Sequence, residues 1–246
     1  MGRLEGRTAL ITSASRGIGK AIALAFTAEG ADVVATARTT NAVDAVIGQC
    51  RQMGRDGLAV TADLSIEKDI QKVADEALRR FGRLDIVVNN AAIIHPYTNL
   101  VDFAADLWRQ VIEVNLIAPA LLTKAVLPEM IKNKSGKIIN ISSIGGRKGG
   151  KGRSAYRATK AGLISLTESV AAEVKQYGID VNCICPGGVD TEGMREAFGM
   201  RGREGNPNLM RPEEIAALAV FLASDASSAI TGAAIDAFGW TNPLFM

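Results

Sequence analysis

Seven short apolar runs recur along the chain: T-A-L-I-T (8–12), A-D-V-V-A-T-A (31–37), G-L-A-V-T-A (57–62), L-D-I-V-V-N (84–89), K-I-I-N-I-S (137–142), I-D-V-N-C-I (179–184) and A-A-I-D-A (233–237). They are too short for helices and nearly continuous in their apolar character, which is the pattern of strands buried on both faces. The segments between them are long enough for crossover helices. Together they predict an α/β fold, a doubly wound parallel sheet with helices on both faces. Ligands of such sheets bind beyond the carboxyl ends of the strands. Ser13, Asp63, Asn90, Ser143 and Pro186 each follow a predicted strand, so that edge is where chemistry is expected.

No Pro, Gly or Ser tract, repeat or charge block marks a linker within the 246 residues, so residues 1–246 read as one domain. A net charge of +2 offers no whole-chain argument for nucleic acid or a membrane surface. The start, M-G-R-L-E-G-R-T-A-L-I-T, places no apolar run ahead of the first strand, and a cytoplasmic protein without a membrane span is expected. Gly at position 6 breaks the myristoylation pattern. Three cysteines make no disulfide framework in a chain this long. Cys183 and Cys185 alternate toward one strand face and read as buried packing. With His95 the lone histidine, no metal site is expected.

Two clusters carry chemistry. Tyr156 and Lys160 stand four apart in S-A-Y-R-A-T-K-A-G, hence on one helix face, and Ser143 precedes the tyrosine by thirteen residues. An ammonium beside a phenol favours the phenolate and lowers its pKa, which makes tyrosine usable as an acid or base near neutrality. At the other end of the chain, T-S-A-S-R-G-I-G (12–19) lies between the first strand and a helix beginning near Gly17. Such a turn lets backbone N–H groups and a helix N-terminus approach a pyrophosphate.

The two clusters together resemble the short-chain dehydrogenase/reductase family over essentially the whole chain. The resemblance implies a Rossmann-type fold and hydride exchange between a nicotinamide cofactor and a carbonyl or alcohol. It implies Tyr156 as acid/base, Ser143 as holder of the substrate oxygen, Lys160 as activator of the phenol, and Asn115 opening a helix to anchor a water-linked proton relay. It assigns the cofactor to Ser13, Ser15, Arg16, Gly17, Ile18 and Gly19 in the glycine-rich turn, and to Arg38, Asp63 and Leu64 after the next two strands. Asn90, Ala91 and Ala92 of N-N-A-A, Tyr156, Lys160, and Pro186, Gly187, Val189 and Thr191 of P-G-G-V-D-T complete the set. The chain departs from the family pattern at Ser13, the first glycine of T-G-x-x-x-G-I-G, and at Ala92, the glycine of N-N-A-G. Asp63 also suits a helix cap or turn.

Ala37 stands where NAD-preferring members place an aspartate, and Arg38 follows. An acid repels a 2′-phosphate and an arginine pairs with it, so NADP(H) is favoured over NAD(H), with Arg16 as a second cation. The stretch I-G-G-R-K-G-G-K-G-R-S-A carries Arg147, Lys148, Lys151 and Arg153 without an acid. A solvated loop is the favoured reading, and an anionic substrate held by one or two of these cations is the alternative. Residues 192–208 read as a mobile lid with Met194, Phe198 and Met200 beneath it. A small-molecule carbonyl or alcohol is the expected partner. Reduction of acyl-carrier-protein thioesters is weakened by Tyr177, where such members often carry a cation, although Lys134 keeps a charge nearby. A homotetramer through residues 104–134 and 154–177 follows from the resemblance, and the apolar tail G-W-T-N-P-L-F-M is expected to be covered. A silent dinucleotide-binding scaffold is the reading from another class, motivated by Ser13 and Ala92 alone.

Overall fold

The computed structural model of the chain describes residues 2–200, 202 and 204–241. All seven predicted strands form: β1 (Thr8–Thr12), β2 (Asp32–Ala37), β3 (Gly57–Thr61), β4 (Ile86–Asn89), β5 (Gly136–Ile141), β6 (Ile179–Pro186) and β7 (Ala234–Ala237). They make one parallel sheet in the order β3-β2-β1-β4-β5-β6-β7. The order reverses between β1 and β4, which opens a crevice at their carboxyl ends.

The uninterrupted apolar character of the strands has a direct cause in the layering. Ala9 and Ile11 of β1 face one core and Leu10 faces the other; Val33 and Ala35 of β2 oppose Val34 in the same way. The first core is closed by α1 (Gly17–Ala28), α2 (Thr40–Gln52) and α8 (Pro212–Ala223), which bury Ile22, Phe26, Val43, Ile47, Ile215 and Val220. The second is closed by α3 (Glu67–Phe81), α5 (Ala118–Asn133) and α6 (Ser154–Val174), through Ile70, Val73, Leu122, Val126, Val170 and Val174. Two shorter helices remain, α4 (Ala105–Ile112) ahead of α5 and α7 (Glu192–Ala197) after β6.

Between α4 and α5 the residues Glu113–Ile117 run as a π-helical turn, so Ala105–Asn133 is one helical stretch with a widened turn at Asn115. That stretch is long and apolar enough to cross a membrane by length and composition alone. Here it is a layer of the fold, packed on α3 and α6.

Cys50, Cys183 and Cys185 are buried free thiols, and the last two pack with Ile164, Ala234 and Phe238, as the strand alternation predicted. No cluster of metal-ligating side chains occurs among the described residues.

Close approach fixes the start of α1. A Cβ on Gly19 would lie 2.4 Å from the Ser13 carbonyl oxygen and 2.5 Å from Asn90 Nδ2. Ser13 itself sits at φ 53°, the left-handed region that glycine occupies without cost. Gly19→Ala is expected to destabilise the fold by about 2 kcal/mol through this overpacking. Thermal unfolding would show it as a drop of roughly 4–8 °C in Tm.

Candidate active site

The carboxyl ends of β1, β4, β5 and β6 surround the crevice, and each contributes to it. Ser143 lies two residues past β5 in extended backbone (φ −173°), and its Oγ accepts a 3.0 Å hydrogen bond from Gly145 N–H. Its neighbour Ser142 points the other way and donates to the Lys160 carbonyl at 2.7 Å, so Ser142 holds α6 to the sheet. Tyr156 and Lys160 occupy the first two turns of α6 on one face, with Lys160 Nζ 5.7 Å from the Tyr156 ring centroid. Lys160 is 2% exposed and donates to the Ile141 carbonyl at 2.7 Å.

The electrostatics differ from the sequence expectation in one respect. Burial is the largest influence on the Tyr156 phenol and raises its pKa above the usual 10. The opposing influences are the Ser143 hydroxyl and the charges of Arg153 and Arg157, not Lys160. Burial also lowers Lys160 to about 8. Its ammonium donates to a backbone carbonyl at the end of β5.

Asn115 sits fully buried in the π-helical turn. Its Oδ1 accepts from Ile93 N–H at 2.7 Å, and its Nδ2 donates to the Ile93 carbonyl at 3.2 Å and to Thr159 Oγ1 at 3.4 Å. Thr159 Oγ1 donates in turn to the Tyr156 carbonyl at 2.8 Å. The asparagine therefore ties the segment after β4 to the helix that carries Tyr156.

The glycine-rich turn forms between β1 and α1. Helix α1 has no side-chain cap and no acid in its first turn, so its N-terminal N–H groups are available to an anion. A Cβ on Gly17 would lie 3.2 Å from Thr191 Cγ2, which brings the turn against the segment after β6. Ile18 packs against the first core, while Ser15 and Gly17 border the turn half-buried. Asn90 performs the strand-tying role expected of it: its Nδ2 donates to the Thr12 carbonyl at 2.9 Å, and Thr12 Oγ1 accepts from Asn90 and Ala91 N–H. Ala92 follows half-buried.

Arg38 is exposed at the end of β2, and Asp63 lies close enough for the arginine charge to lower the carboxyl pKa. The larger cause of that lowering is the turn Asp63 builds: its Oδ1 accepts from Ser65 N–H at 2.9 Å and from Ser65 Oγ at 2.8 Å. Asp63 is thus a turn former, and Leu64 beside it is buried. Arg16 is not free in the crevice. It makes a two-pronged ion pair with Glu196 of α7 at 2.7 and 2.9 Å.

After β6, Pro186 ends the strand and Gly187 N–H donates to the Ala237 carbonyl at 2.9 Å. Val189 bridges to Met210, and Thr191 Oγ1 caps α7 by accepting from Met194 N–H at 3.2 Å. Phe198, beyond α7, lies over the site: its ring centroid is 5.2 Å from that of Tyr97 and 4.8 Å from the Arg153 guanidinium carbon. Met194 and Met200 are half-buried; Arg201 and Arg203 of the predicted lid, and residues 242–246 of the apolar tail, lie outside the described residues.

The basic loop divides. Lys148 and Lys151 are exposed, as a solvated loop requires. Arg147 pairs with Asp236 at 2.7 Å. Arg153 is 6% exposed, donates to the His95 carbonyl, and packs on the Tyr156 ring at 4.8 Å. Sequence reasoning grouped it with the solvated cations; nothing local to the loop signals the aromatic rings of Tyr97 and Phe198 that enclose it.

This geometry agrees with the comparisons. The short chain dehydrogenase family model matches residues 7–201. The chain belongs to the short-chain dehydrogenase/reductase family. It is similar to a 3-oxoacyl-[acyl-carrier-protein] reductase of Synechocystis sp., 40% identical over 94% of this chain and 95% of the relative. Among solved structures it resembles 7α-hydroxysteroid dehydrogenase in complex with NADH and 7-oxo glycochenodeoxycholic acid, at TM-score 0.89 and 30% identity over 96% of this chain and 94% of the other. It also resembles carveol dehydrogenase of Mycobacterium avium in complex with NAD, at TM-score 0.91 and 25% identity over 98% and 99%. The family places the chain among oxidoreductases acting on CH–OH and C=O groups with a nicotinamide dinucleotide.

Lys160 gives the site a measurable signature. A lysine whose folded pKa is lowered costs stability wherever it is charged in both states, fully so below about 8. The cost fades as pH rises from about 8 toward the unfolded value. Measured against a Lys160→Met variant, the parent is therefore expected to gain about 2 kcal/mol of unfolding free energy between pH 7 and pH 10. Denaturant titrations of both proteins at the two pH values check this, and a pH-independent difference would contradict it.

Proposed function

We propose that the protein interconverts a ketone or aldehyde with an alcohol using NADP(H), with Tyr156 as the acid/base. The observation that carries the reading is the meeting of Ser143, Tyr156 and Lys160 at the carboxyl edge of the sheet, the edge from which the uncapped α1 also starts. A nicotinamide bound there supplies the hydride in reduction and accepts it in oxidation. The residues present suit such a group: open N–H donors at α1, glycines where a Cβ would collide, and alanine rather than an acid at position 37.

In this reading Ser13, Ser15, Arg16, Gly17, Ile18 and Gly19 cradle the pyrophosphate, and Arg38 meets the 2′-phosphate. Asp63 and Leu64 border the adenine, and Asn90, Ala91 and Ala92 its ribose. Pro186, Gly187, Val189 and Thr191 line the carboxamide side. Ser143 Oγ holds the substrate oxygen and stabilises the charge that develops on it. The Tyr156 phenol, raised by burial, is protonated at neutral pH, which is the form that gives a proton to a reduced carbonyl. Lys160 holds the nicotinamide ribose hydroxyls, and Asn115 anchors the relay that returns the proton.

NADP(H) is favoured because Arg38 is exposed and no acid stands at position 37, while Arg16 contributes once released from Glu196. NAD(H) is the alternative, supported by the two structural neighbours solved with that cofactor. The name of the Synechocystis relative supports 3-oxoacyl thioesters as one substrate class. Three buried free thiols accord with a cytoplasmic setting. Exposed Ile117, and the exposed small residues Ala158, Ala161 and Ser165 along α6, suit packing between subunits of a homotetramer.

Fluorescence titration is expected to show NADPH binding more tightly than NADH by 10-fold or more, with the order reversed in Arg38→Asp. Equal, weak binding of both would argue for a phosphate turn impaired by Ser13 and for the scaffold reading. Tyr156→Phe is expected to lower kcat by about 10²–10⁴-fold in a folded protein. Wild-type turnover rates in the variant would remove Tyr156 from the reaction.

A further inference from the structure

Arg153 lies three residues ahead of Tyr156 and is enclosed by the site. It is 6% exposed, and no carboxylate pairs with it among the described residues. Its charged neighbour is Arg157, of the same sign. Three aromatic rings surround its guanidinium carbon: Tyr156 and Phe198 at 4.8 Å each, and Tyr97 at 5.6 Å. One edge nitrogen, Nη1, donates to the His95 carbonyl, while Nε and Nη2 have no hydrogen-bond acceptor among the described residues. Cation–π contacts use the faces of a guanidinium and leave its edge free for the planar, two-pronged grip that suits a carboxylate. A buried cation without a counter-ion is costly, and aromatic faces offset only part of that cost.

We propose that Arg153 anchors a carboxylate of the substrate, so that the preferred substrates are short oxo acids and the corresponding hydroxy acids. The inference rests on the carbonyl–alcohol reading above and narrows it. Because Arg153 packs directly on the Tyr156 ring, the anchored carboxylate stands within a few bonds of the carbon whose oxygen Tyr156 protonates. A thioester presents a neutral carbonyl at that place and leaves the guanidinium unpaired, so a free acid is the better match. The Phe198 ring, 4.8 Å from the guanidinium carbon, shields the ion pair from water and strengthens it.

The test compares linear oxo acids, with the keto group at carbon 2, 3 or 4, against their methyl esters. Binding to the cofactor-loaded protein is followed by calorimetry and turnover by nicotinamide absorbance. The expected result is a wild-type preference for at least one acid over its ester of about 10- to 100-fold in binding and in kcat/KM, the range for a charge-assisted hydrogen-bonded pair. Arg153→Gln is expected to bring that ratio close to one, and Arg153→Lys to restore part of it. An arginine that served only to tune the phenol would change acid and ester alike and shift the pH profile of both. Esters bound as well as acids by the wild type would overturn the anchor, and their turnover would leave the oxidoreductase reading standing. Acids bound tightly without turnover of any compound would support the anchor and remove the oxidoreductase reading. Should Arg153→Gln fail to fold, the wild-type ratio and Arg153→Lys decide the question.

Discussion

The buried ammonium of Lys160 holds the catalytic helix to the sheet, and the rest of the site is arranged around it. The ammonium reaches the Ile141 carbonyl at the last residue of β5, while the Lys160 carbonyl accepts from Ser142, the next residue of the chain. One lysine thus fixes both the depth and the rotation of α6 against the strand end that carries Ser143. Burial lowers its pKa to about 8, so the clamp is bought with stability. A methionine would fill the same space without desolvating a charge, yet it would supply no donor to a carbonyl that emerges where the sheet has no further strand partner.

A second set of polar contacts joins the strand ends to that helix. Thr12 at the end of β1 receives two N–H groups from the start of N-A-A, and Asn90 returns a donor to Thr12. Below them, Asn89, Asn140 and Thr167 link β4, β5 and α6 through buried side-chain hydrogen bonds of 2.8 and 2.9 Å. Asn115 then extends the chain of contacts to Thr159 and the backbone of Tyr156. Most of these buried groups are paired, Asn89 Oδ1 being the exception, so the network tolerates few alternative arrangements. Its result is a rigid platform on which Ser143, Tyr156 and Lys160 keep their spacing.

The parts legible in the sequence were those set by local or periodic physics. Strands covered on both faces must be apolar throughout, which is why all seven were visible as runs. The four-residue spacing of Tyr156 and Lys160 survives because helix geometry alone dictates it. The roles that depend on distant residues were not legible. Arg16 carries nothing to indicate Glu196, 180 residues away, and the glycine-flanked Arg153 looks solvated until Tyr97 and Phe198 are placed around it. Nor does the spacing of Tyr156 and Lys160 reveal the backbone carbonyl at the end of β5 to which the lysine donates.

The segment over the site shows the same distinction between strong and weak contacts. Its composition suggested a mobile lid, and its first half forms a capped helix: Thr191 caps α7, and Arg195 pairs with Asp190, both side chains about 13% exposed. Asp190 also accepts from Gly205 N–H at 2.8 Å, so one carboxylate gathers both ends of the loop. The Arg16–Glu196 pair differs in kind. Both partners are close to half exposed, and an ion pair in that setting contributes about 0–1 kcal/mol. The fold of the segment is therefore carried from within by Asp190, whereas its attachment across the glycine-rich turn rests on a contact that water and salt can replace. A carboxylate holds residues on both sides of the segment, while the ion pair at its edge stays open to solvent.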